Sequence, residues 1–168
     1  AKAIDEILSY TYWREKGLEV VIVRLFNTVG PRQTGSHGMV PPRFINQALR
    51  GLPITIYGDG LQTRCFCHVS DVVSGLIALS DHPEAFGKVF NLGGNEEISM
   101  SDLARRVVKL VGSESELEYI PYATAYEDGF EDMERRVPDT TRARQLVGFS
   151  PSMDLDDIVN SVLAELHS

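Results

Sequence analysis

Four side chains suited to binding phosphate are spread along this chain, each in a loop or at the end of a predicted strand: Asn27, Arg64, Asn91 and Arg136. The forked donors of a guanidinium group meet two phosphate oxygens at once, and a carboxamide can bridge a phosphate and a sugar hydroxyl. Two arginines and two asparagines are enough to hold a diphosphate. Singly, each is more often a surface ion pair or a turn residue, so the chemistry depends on whether the fold gathers them.

The elements that must position these residues alternate between helix and strand. Apolar positions at helical spacing over residues 2–16, followed by Gly17, predict a first helix with a glycine cap. Residues 19–25 form a nearly continuous β-branched run, the pattern of a parallel strand covered on both faces. The turn formers of residues 30–38 then predict a loop beyond the carboxyl end of that strand, where open α/β sheets place their ligands.

The remainder of the chain continues this alternation. Pro41 and Pro42 suit the first turn of a helix to Leu49, and strands over 54–57 and 64–69 flank Gly58-Asp59-Gly60 as a predicted hairpin. We further predict a helix over 71–80 capped by Ser70, a strand over 88–92, a helix from Ser99 or Ser101 to Val111, a strand over 117–120, and helices over 140–146 and 154–166. The acidic stretch 122–136 shows no clear period.

Two short motifs that could suggest other chemistry have simpler explanations. Gly58-x-Gly60 follows a strand, as a dinucleotide loop would, but the third position is Thr63 and another strand follows, so we predict a turn and no cofactor-phosphate site. Cys65 and Cys67 are spaced too tightly for an unstrained disulfide within one strand, and no further ligands stand at zinc spacing. We expect two buried, reduced thiols and no metal site.

Composition limits the class of protein. The chain has 168 residues, 43% hydrophobic and 24% charged, which is ordinary for a folded domain with one sizeable core. A formal charge of −8 argues against nucleic-acid binding and against anionic membranes, although a local arginine cluster could still face phosphate. No apolar run reaches the length of a membrane helix, and the first residues are not a signal peptide, so we expect a cytoplasmic protein.

Several polar and aromatic residues are predicted to have structural roles. Asp139 would cap the helix that follows it, and His68 would be a hydrogen-bonded residue within a strand rather than an acid or base. Asp71 would serve the start of its helix, where its charge meets the positive end of the dipole. An aromatic band on the first helix would pack against the sheet or a partner subunit: Tyr10, Tyr12 and Trp13.

Five motifs follow one another along the chain: Phe26-Asn27-x-x-Gly30-Pro31, residues 53–64 ending in Gln62-Thr63-Arg64, His68-Val69-x-Asp71-Val72, residues 89–93 around Asn91, and Arg136-x-Pro138-Asp139. Together they resemble the extended short-chain dehydrogenase/reductases that act on nucleotide-linked sugars, such as UDP-glucose 4-epimerase, dTDP-glucose 4,6-dehydratase and UDP-glucuronate decarboxylase. The resemblance implies an α/β fold in which residues 1–168 form a C-terminal fragment: the last part of a doubly wound, Rossmann-like sheet plus the small substrate-binding lobe.

The resemblance also implies roles for individual residues. Asn27 and Arg64 would contact the diphosphate of a UDP- or dTDP-sugar, with Asn91 close by, and Arg136 would complete the clamp. Backbone groups and an apolar face would grip the base, and they would come from Met39, Val40, Thr55, Ile56 and Tyr57. The stretch 129–133 is closest to the decarboxylase and uronate-epimerase branches.

Lys2 stands where the family carries the lysine of a Tyr-x-x-x-Lys motif. By resemblance it would bind the nicotinamide ribose of NAD and lower the pKa of the tyrosine that accepts a proton, so it is the predicted catalytic and cofactor-binding residue. Neither that tyrosine nor a glycine-rich dinucleotide loop occurs in the sequence. We therefore expect the chain alone to be inactive and the intact protein to use NAD.

The predicted activity of the intact protein is 4-epimerisation through transient oxidation at C4 of a UDP- or dTDP-linked hexose or uronate. Decarboxylation of UDP-glucuronate and dehydration of dTDP-glucose share that first step and stay open. A non-catalytic nucleotide-sugar-binding or assembly domain, or a folded remnant that binds nothing, also stays open. Family members usually pair through the helix that Lys2 opens, so we expect a homodimer.

Overall fold

The computed structural model describes residues 1–33, 39–125 and 133–166. Parts of the predicted loop 30–38 and of the stretches 122–136 and 129–133 lie outside the described residues. The helices are α1 (Lys2–Lys16), α2 (Val40–Leu49), α3 (Val69–Ser80), α4 (Met100–Val111), α5 (Tyr122–Ala125), α6 (Thr141–Val147) and α7 (Leu155–Leu166). The strands are β1 (Ile22–Leu25), β2 (Thr28–Val29), β3 (Ile54–Tyr57), β4 (Thr63–Cys65), β5 (Cys67–His68), β6 (Val89–Leu92), β7 (Glu97–Ser99), β8 (Leu117–Ile120) and β9 (Arg135–Arg136).

Helix α1 has the predicted bounds and the predicted cap. Gly17 adopts a left-handed φ of 67°. Its N–H group donates to the Trp13 carbonyl oxygen, and the Leu18 N–H group donates to the Tyr12 carbonyl oxygen. The helix meets the rest of the chain through an ion pair of Glu6 with Arg24 (2.6 Å) and through Trp13, which packs against Gly87. No residue of α1 is buried, and within the aromatic band Tyr10 and Tyr12 are exposed whereas Trp13 is half-buried.

The predicted parallel strand is confirmed, although it begins at Ile22 rather than at residue 19. Strand β1 pairs in parallel with β6, with Ile22 opposite Val89 and Leu25 opposite Leu92. Next to it, β2 pairs in parallel with β5, an interaction that the sequence pattern did not indicate. One core cluster covers these strands with α3 and α6, and its buried members include Cys67, Leu79, Phe90, Leu92 and Phe149.

The predicted hairpin around Gly58-Asp59-Gly60 is wrong. Strand β3 pairs in parallel with β8, and β4 lies between antiparallel β7 and parallel β9. The turn itself exists, since Gly58 and Gly60 have φ values of 76° and 75°, but the carbonyl oxygens of Gly60 and Gln62 accept hydrogen bonds from the start of α4. These bonds draw the chain towards α4 instead of back along β3. The predicted strand 64–69 is also divided at Phe66 into β4 and β5.

A second core cluster forms where α2, α4 and α7 pack together over β3. Phe44, Ile54, Leu103, Val107 and Ile158 are all almost completely buried there. Pro41 and Pro42 occupy the first turn of α2 as predicted, where a missing N–H group costs no helical bond. Helix α4 begins after Ser99, whose Oγ accepts from the Asp102 N–H group at 3.0 Å, so Ser99 is the cap of the two predicted alternatives.

Two predictions around α3 need correction. The helix begins at Val69 and is capped by the imidazole of His68, whose Nδ1 accepts the Ser70 N–H group at 3.2 Å, so Ser70 is not the cap. His68 is buried, and its Nε2 lies 3.2 Å from Ser161 Oγ, which confirms that it is a hydrogen-bonded residue within a strand. The Asp71 carboxylate lies in the first turn as expected, but it also accepts from Ser152 Oγ at 2.8 Å and thereby ties α3 to the segment before α7.

The two thiols are free and buried, as predicted. Burial, with a smaller contribution from the Asp71 charge, raises the pKa of Cys67 to about 12. In the part of the chain that the structure describes, no helix combines the length and apolar character needed to cross a membrane.

Candidate functional site

A cavity of about 280 Å³ lies beyond the carboxyl ends of β1 and β3, at the start of α2 and beside β4 and β9. Its wall contains seven of the predicted site residues: Asn27, Met39, Val40, Ile56, Tyr57, Arg64 and Arg136. Further wall residues were not predicted from the sequence, and the polar ones are Thr28, Gln33, Arg43, Gln62 and Tyr122. The fold thus brings most of the scattered candidates to one place.

The charge of this wall is opposite to that of the molecule. Three guanidinium groups line the cavity, those of Arg43, Arg64 and Arg136, and no Asp or Glu is among its described lining residues. The chain as a whole carries a formal charge of −8. A concave site lined by positive charges, with walls of low dielectric constant, concentrates anionic ligands. This cavity is therefore suited to a phosphate-containing molecule.

Strand pairing explains why two of these arginines meet. In the parallel pair of β4 with β9, Arg64 lies opposite Arg136. The neighbouring Arg135 points the other way, as alternate residues of a strand do, and its Nη2 lies 2.8 Å from Glu97. Arg64 Nη1 donates to the carbonyl oxygens of Thr63 and Met133, both at 2.8 Å, which holds its guanidinium group in place. Arg136 lies over the ring of Phe26, 5.3 Å from its centre.

Asn27 lies between β1 and β2 at the edge of the cavity and hydrogen-bonds to residues of β4 and β5. Its Nδ2 donates to the Cys65 carbonyl at 2.9 Å, and its own carbonyl accepts from the Cys67 N–H group at 3.2 Å. Its φ of 29° lies in the left-handed region, which asparagine tolerates better than most residues but which still carries strain. Strain of this kind clusters at ligand sites, where the surrounding structure holds it in place.

Four of the five residues predicted to grip the base line one side of the cavity, and Thr55 stands behind them. Met39, Val40, Ile56 and Tyr57 line the cavity, whereas Thr55 does not. Thr55 instead supports the wall: its Oγ1 accepts from Gln47 at 3.0 Å, and its carbonyl oxygen accepts from Arg43 Nη2 at 3.0 Å. The Arg43 guanidinium group is thereby held 4.6 Å from the centre of the Tyr57 ring.

Buried polar atoms without a hydrogen-bond partner concentrate in this wall. Among the described residues there are five such side-chain atoms, and four belong to residues that line the cavity: Thr28 Oγ1, Gln33 Oε1, Arg43 Nε and Gln62 Oε1. Buried polar groups are otherwise paired almost everywhere in folded proteins, because leaving one unpaired costs roughly 1–3 kcal/mol. A cluster of them around a cationic cavity is the pattern expected where a ligand supplies the missing partners.

Arg43 is the cation that sequence reasoning missed, and a signal for it was present. Val40, Arg43 and Phe44 are spaced i, i+3, i+4 on α2, so a wall containing Val40 would also include Arg43. Gln62 lay within a recognised motif but was given no role. Its amide donates to Tyr122 Oη at 2.9 Å and to the Tyr57 carbonyl at 2.8 Å, which connects the turn after β3 to the cavity wall at Tyr57.

Besides Thr55, two further predicted site residues do not line the cavity, Asn91 and Lys2. Asn91 lies on β6 opposite Arg24, and its amide donates to the Asp139 carbonyl at 2.9 Å, so it positions the segment before α6. Thr140, not Asp139 as predicted, is the N-cap residue of α6. Asp139 stands one position earlier, and its carboxylate still accepts from the Thr141 N–H group at 2.9 Å. Lys2 is the exposed first residue of α1 and does not line this cavity.

The turn with Gly58 and Gly60 does not have the shape of a dinucleotide phosphate loop. The turn with Gly58 and Gly60 is filled by its neighbours, because a Cβ atom at these positions would lie 2.4 Å from the Tyr122 ring and 2.1 Å from Ser101 Oγ. No helix begins directly after Gly60 to offer its N–H groups. The prediction of a simple turn at Gly58-Asp59-Gly60 is confirmed.

Comparisons with known proteins agree with the predicted family and fold class. A model described as the NAD dependent epimerase/dehydratase family matches residues 1–93. UDP-N-acetyl-alpha-D-glucosaminuronate decarboxylase of Bacillus cytotoxicus is 39% identical over 153 residues, which are 90% of this chain and 47% of that protein. UDP-glucuronic acid decarboxylase 1 of Xenopus tropicalis is 38% identical over 162 residues, 96% of this chain and 37% of that protein.

A solved structure extends the agreement to three dimensions. UDP-glucuronic acid 4-epimerase of Bacillus cereus, in complex with UDP-glucuronic acid and NAD, superposes with a TM-score of 0.84 at 28% identity. The superposition covers 96% of this chain and 49% of that one. The α/β, Rossmann-like fold class predicted from the sequence is confirmed. The chain spans about half or less of the length of each of these relatives.

Proposed function

The chain belongs to the NAD-dependent epimerase/dehydratase family, and from this premise we propose that it is the nucleotide-sugar-binding portion of an enzyme that acts on a UDP-linked sugar. The observation that carries the proposal is the cavity in which three guanidinium groups converge without an acidic lining residue. A diphosphate carries two negative charges, and charge-assisted hydrogen bonds from guanidinium groups are the strongest that a protein offers to phosphate.

Each part of the substrate has a matching part of the cavity. Arg64 and Arg136 would contact the diphosphate from the β4–β9 side, and Asn27 would contact it from the end of β1. Met39, Val40, Ile56 and Tyr57 would hold the base with an apolar face. Arg43 would take the place of Asn91 as the fourth polar side chain around the diphosphate. Arg43 lies in the cavity wall, and its guanidinium group is held by the Thr55 carbonyl oxygen.

For the intact protein we propose NAD-dependent oxidation at C4 of the sugar, with epimerisation as the first candidate outcome. Decarboxylation of a UDP-uronate is the second candidate, which the names of the uronate decarboxylases at 39% and 38% identity favour. In this proposal the described residues contribute only the part of the active site that binds the nucleotide sugar. For the isolated chain, a non-catalytic nucleotide-sugar-binding role is the alternative. The role of Lys2 at the cofactor stays a prediction.

Homodimer formation and cytoplasmic residence also stay predictions. Helix α1 exposes Ile4, Ile7 and Leu8 by 61%, 66% and 51%, which is the kind of apolar surface that another subunit can cover. Analytical ultracentrifugation should therefore detect a dimer. A monomer at the highest soluble concentration would contradict the expectation.

Calorimetric titration of the 168-residue chain tests the binding proposal. We expect UDP to bind more tightly than UMP, and uridine to bind weakest, because the guanidinium groups act on the phosphates. Arg136→Gln should weaken UDP binding by roughly 10- to 150-fold, which corresponds to the 1.5–3 kcal/mol of a charged hydrogen bond. Uridine binding should hardly change.

The adjacent arginine provides a matched control. Arg135 is on the same short strand but is exposed and paired with Glu97 outside the cavity. Arg135→Gln should change UDP affinity by less than about threefold, because exposed ion pairs contribute little and this one does not touch the site. Equal losses in the two variants, or no heat with UDP at all, would refute the proposal.

Product analysis of the full-length enzyme distinguishes the two outcomes. With UDP-glucuronate and NAD, decarboxylation releases one CO₂ per product and leaves a UDP-pentose, whereas epimerisation keeps every carbon and inverts C4. Proton NMR separates these products directly. If UDP-glucuronate, UDP-glucose and dTDP-glucose all stay unchanged, the enzymatic part of the proposal is wrong while the binding part is still judged by calorimetry.

A further inference from the structure

An open groove of about 540 Å³ adjoins the cationic cavity. The two share part of their walls, namely Asn27, Thr28, Val29, Gln33 and Met39. The groove starts at Leu25, at the carboxyl end of β1, which is where open α/β sheets place their ligands. A ligand whose diphosphate is held in the cavity therefore has a direct path for its sugar into the groove.

Arg32 is the one ionisable side chain among the described residues of this groove. Its backbone has a left-handed φ of 63°, a conformation that a residue with a long side chain rarely adopts. The turn before it is fixed, because Gly30 packs so closely on Val69 that a Cβ atom would lie 2.4 Å from Val69 Cγ1. The fold thus holds a cation at the groove in a conformation that glycine or asparagine would adopt more easily.

We infer that Arg32 binds the carboxylate of a uronate sugar and makes this site select UDP-linked uronates over neutral UDP-hexoses. The inference rests on the proposed function, since it assumes that the diphosphate occupies the neighbouring cavity. A uronate differs from the hexose by a carboxylate in place of a hydroxymethyl group at C5. The planar carboxylate accepts two parallel hydrogen bonds from a guanidinium fork, which a hydroxymethyl group cannot do. The groove offers no other charged group among its described residues.

The test measures by calorimetry the affinities of UDP, UDP-glucose and UDP-glucuronate for the unchanged 168-residue chain and for its Arg32→Asn variant. Asparagine tolerates the left-handed backbone, so the variant removes the charge while keeping the local conformation. We expect the unchanged chain to prefer UDP-glucuronate over UDP-glucose by roughly 10- to 100-fold, as for one charged hydrogen-bonding pair, and Arg32→Asn to abolish that preference. Affinities for UDP and UDP-glucose should stay within about twofold.

Control and contrary outcomes separate this inference from the proposed function. Arg105→Asn, on the exposed face of α4, should leave all three affinities unchanged. A merely structural Arg32 would lower the melting temperature, whereas we expect Arg32→Asn to melt at the same temperature or higher. If UDP binds but the uronate preference survives in Arg32→Asn, or if all three affinities fall equally, the inference is wrong and the proposed function stands. If UDP does not bind the unchanged chain, both fall.

Discussion

Gly58→Ala tests how the turn after β3 is built into the cavity wall. Gly58 has a φ of 76°, and a Cβ atom on it would lie 2.4 Å from Cε2 and 3.0 Å from Cζ of Tyr122. The Tyr122 ring lines the cavity, and its hydroxyl group accepts from Gln62 Nε2 at 2.9 Å. A single methyl group at this position must therefore displace the ring or the turn.

The expected loss of folding stability in Gly58→Ala has two parts, which can be measured separately with a second glycine of the chain. A left-handed alanine costs about 1–2 kcal/mol relative to glycine. Displacing Tyr122 adds the loss of its bond with Gln62, about 1 kcal/mol, together with lost packing. Gly112, the cap of α4, has a similar φ of 69° but open space around its Cβ position, so Gly112→Ala carries the first part alone. We expect Gly58→Ala to cost about 2–3 kcal/mol and Gly112→Ala to cost about 1 kcal/mol.

Urea unfolding of the two variants, followed by circular dichroism, measures these differences in the free energy of unfolding. A double-mutant cycle with Tyr122→Ala then isolates the contact, because the penalty of Gly58→Ala should fall to that of Gly112→Ala once the ring is absent. Since Tyr122 and Gln62 both line the cavity, Gly58→Ala should also weaken UDP binding, while Gly112→Ala should not.

Two results would refute this reasoning. Equal penalties for Gly58→Ala and Gly112→Ala would mean that the close approach of Tyr122 has no energetic consequence. An unchanged penalty in the Tyr122→Ala background would mean that the excess comes from somewhere other than the ring.

Three further predictions follow from core packing, capping and burial. Leu103→Ala should cost about 3 kcal/mol by urea unfolding, because Leu103 is fully buried, and Leu61→Ala, at a residue 70% exposed, should change stability by less than about 0.5 kcal/mol. Hydrogen bonds from Thr141 hold the pKa of Asp139 in the folded chain below its ordinary 3.8. These bonds therefore stabilise the fold fully above pH 3.8, and the stabilisation is lost as the pH falls through the lower pKa of the folded state. The stability gap between the unchanged chain and Asp139→Ala should therefore narrow below pH 3.8, and a gap that stays constant would contradict this. Burial raises the pKa of Cys67 to about 12, so a disulfide reagent at neutral pH should label it only after unfolding, and rapid labelling of the folded chain would show that the thiol is accessible.

Local sequence patterns predicted the elements because the forces that start and end them are local. Gly17 ends α1 and Pro41-Pro42 starts α2, and both effects depend on neighbouring backbone groups alone. The same reasoning failed for the hairpin, since a turn signal between two strands does not reveal that the chain after Gly60 bonds to the start of α4. The prediction of Ser70 as the cap of α3 failed for a similar reason. The cap is the imidazole of His68, which is an uncommon capping group and which is also in contact with Ser161, far along the chain.

The candidate site shows the same division between local and distant information. Arg64 and Arg136 were recognised by residue type and motif, but only the pairing of β4 with β9 places them opposite each other. Asn91 has equally suitable chemistry, and yet its amide is engaged by the Asp139 carbonyl. Arg43 carried no motif and enters the wall because α2 presents the face of Val40 to the cavity.

The sequence by itself therefore determined the alternating elements, the family and the residue types able to bind a diphosphate. The tertiary structure decided which strands pair, which arginines converge and which of them stand apart in exposed ion pairs. The physical reason is that helix caps and turns depend on interactions between near neighbours, whereas strand partners are selected by burial of the whole apolar surface and by satisfaction of every backbone group at once.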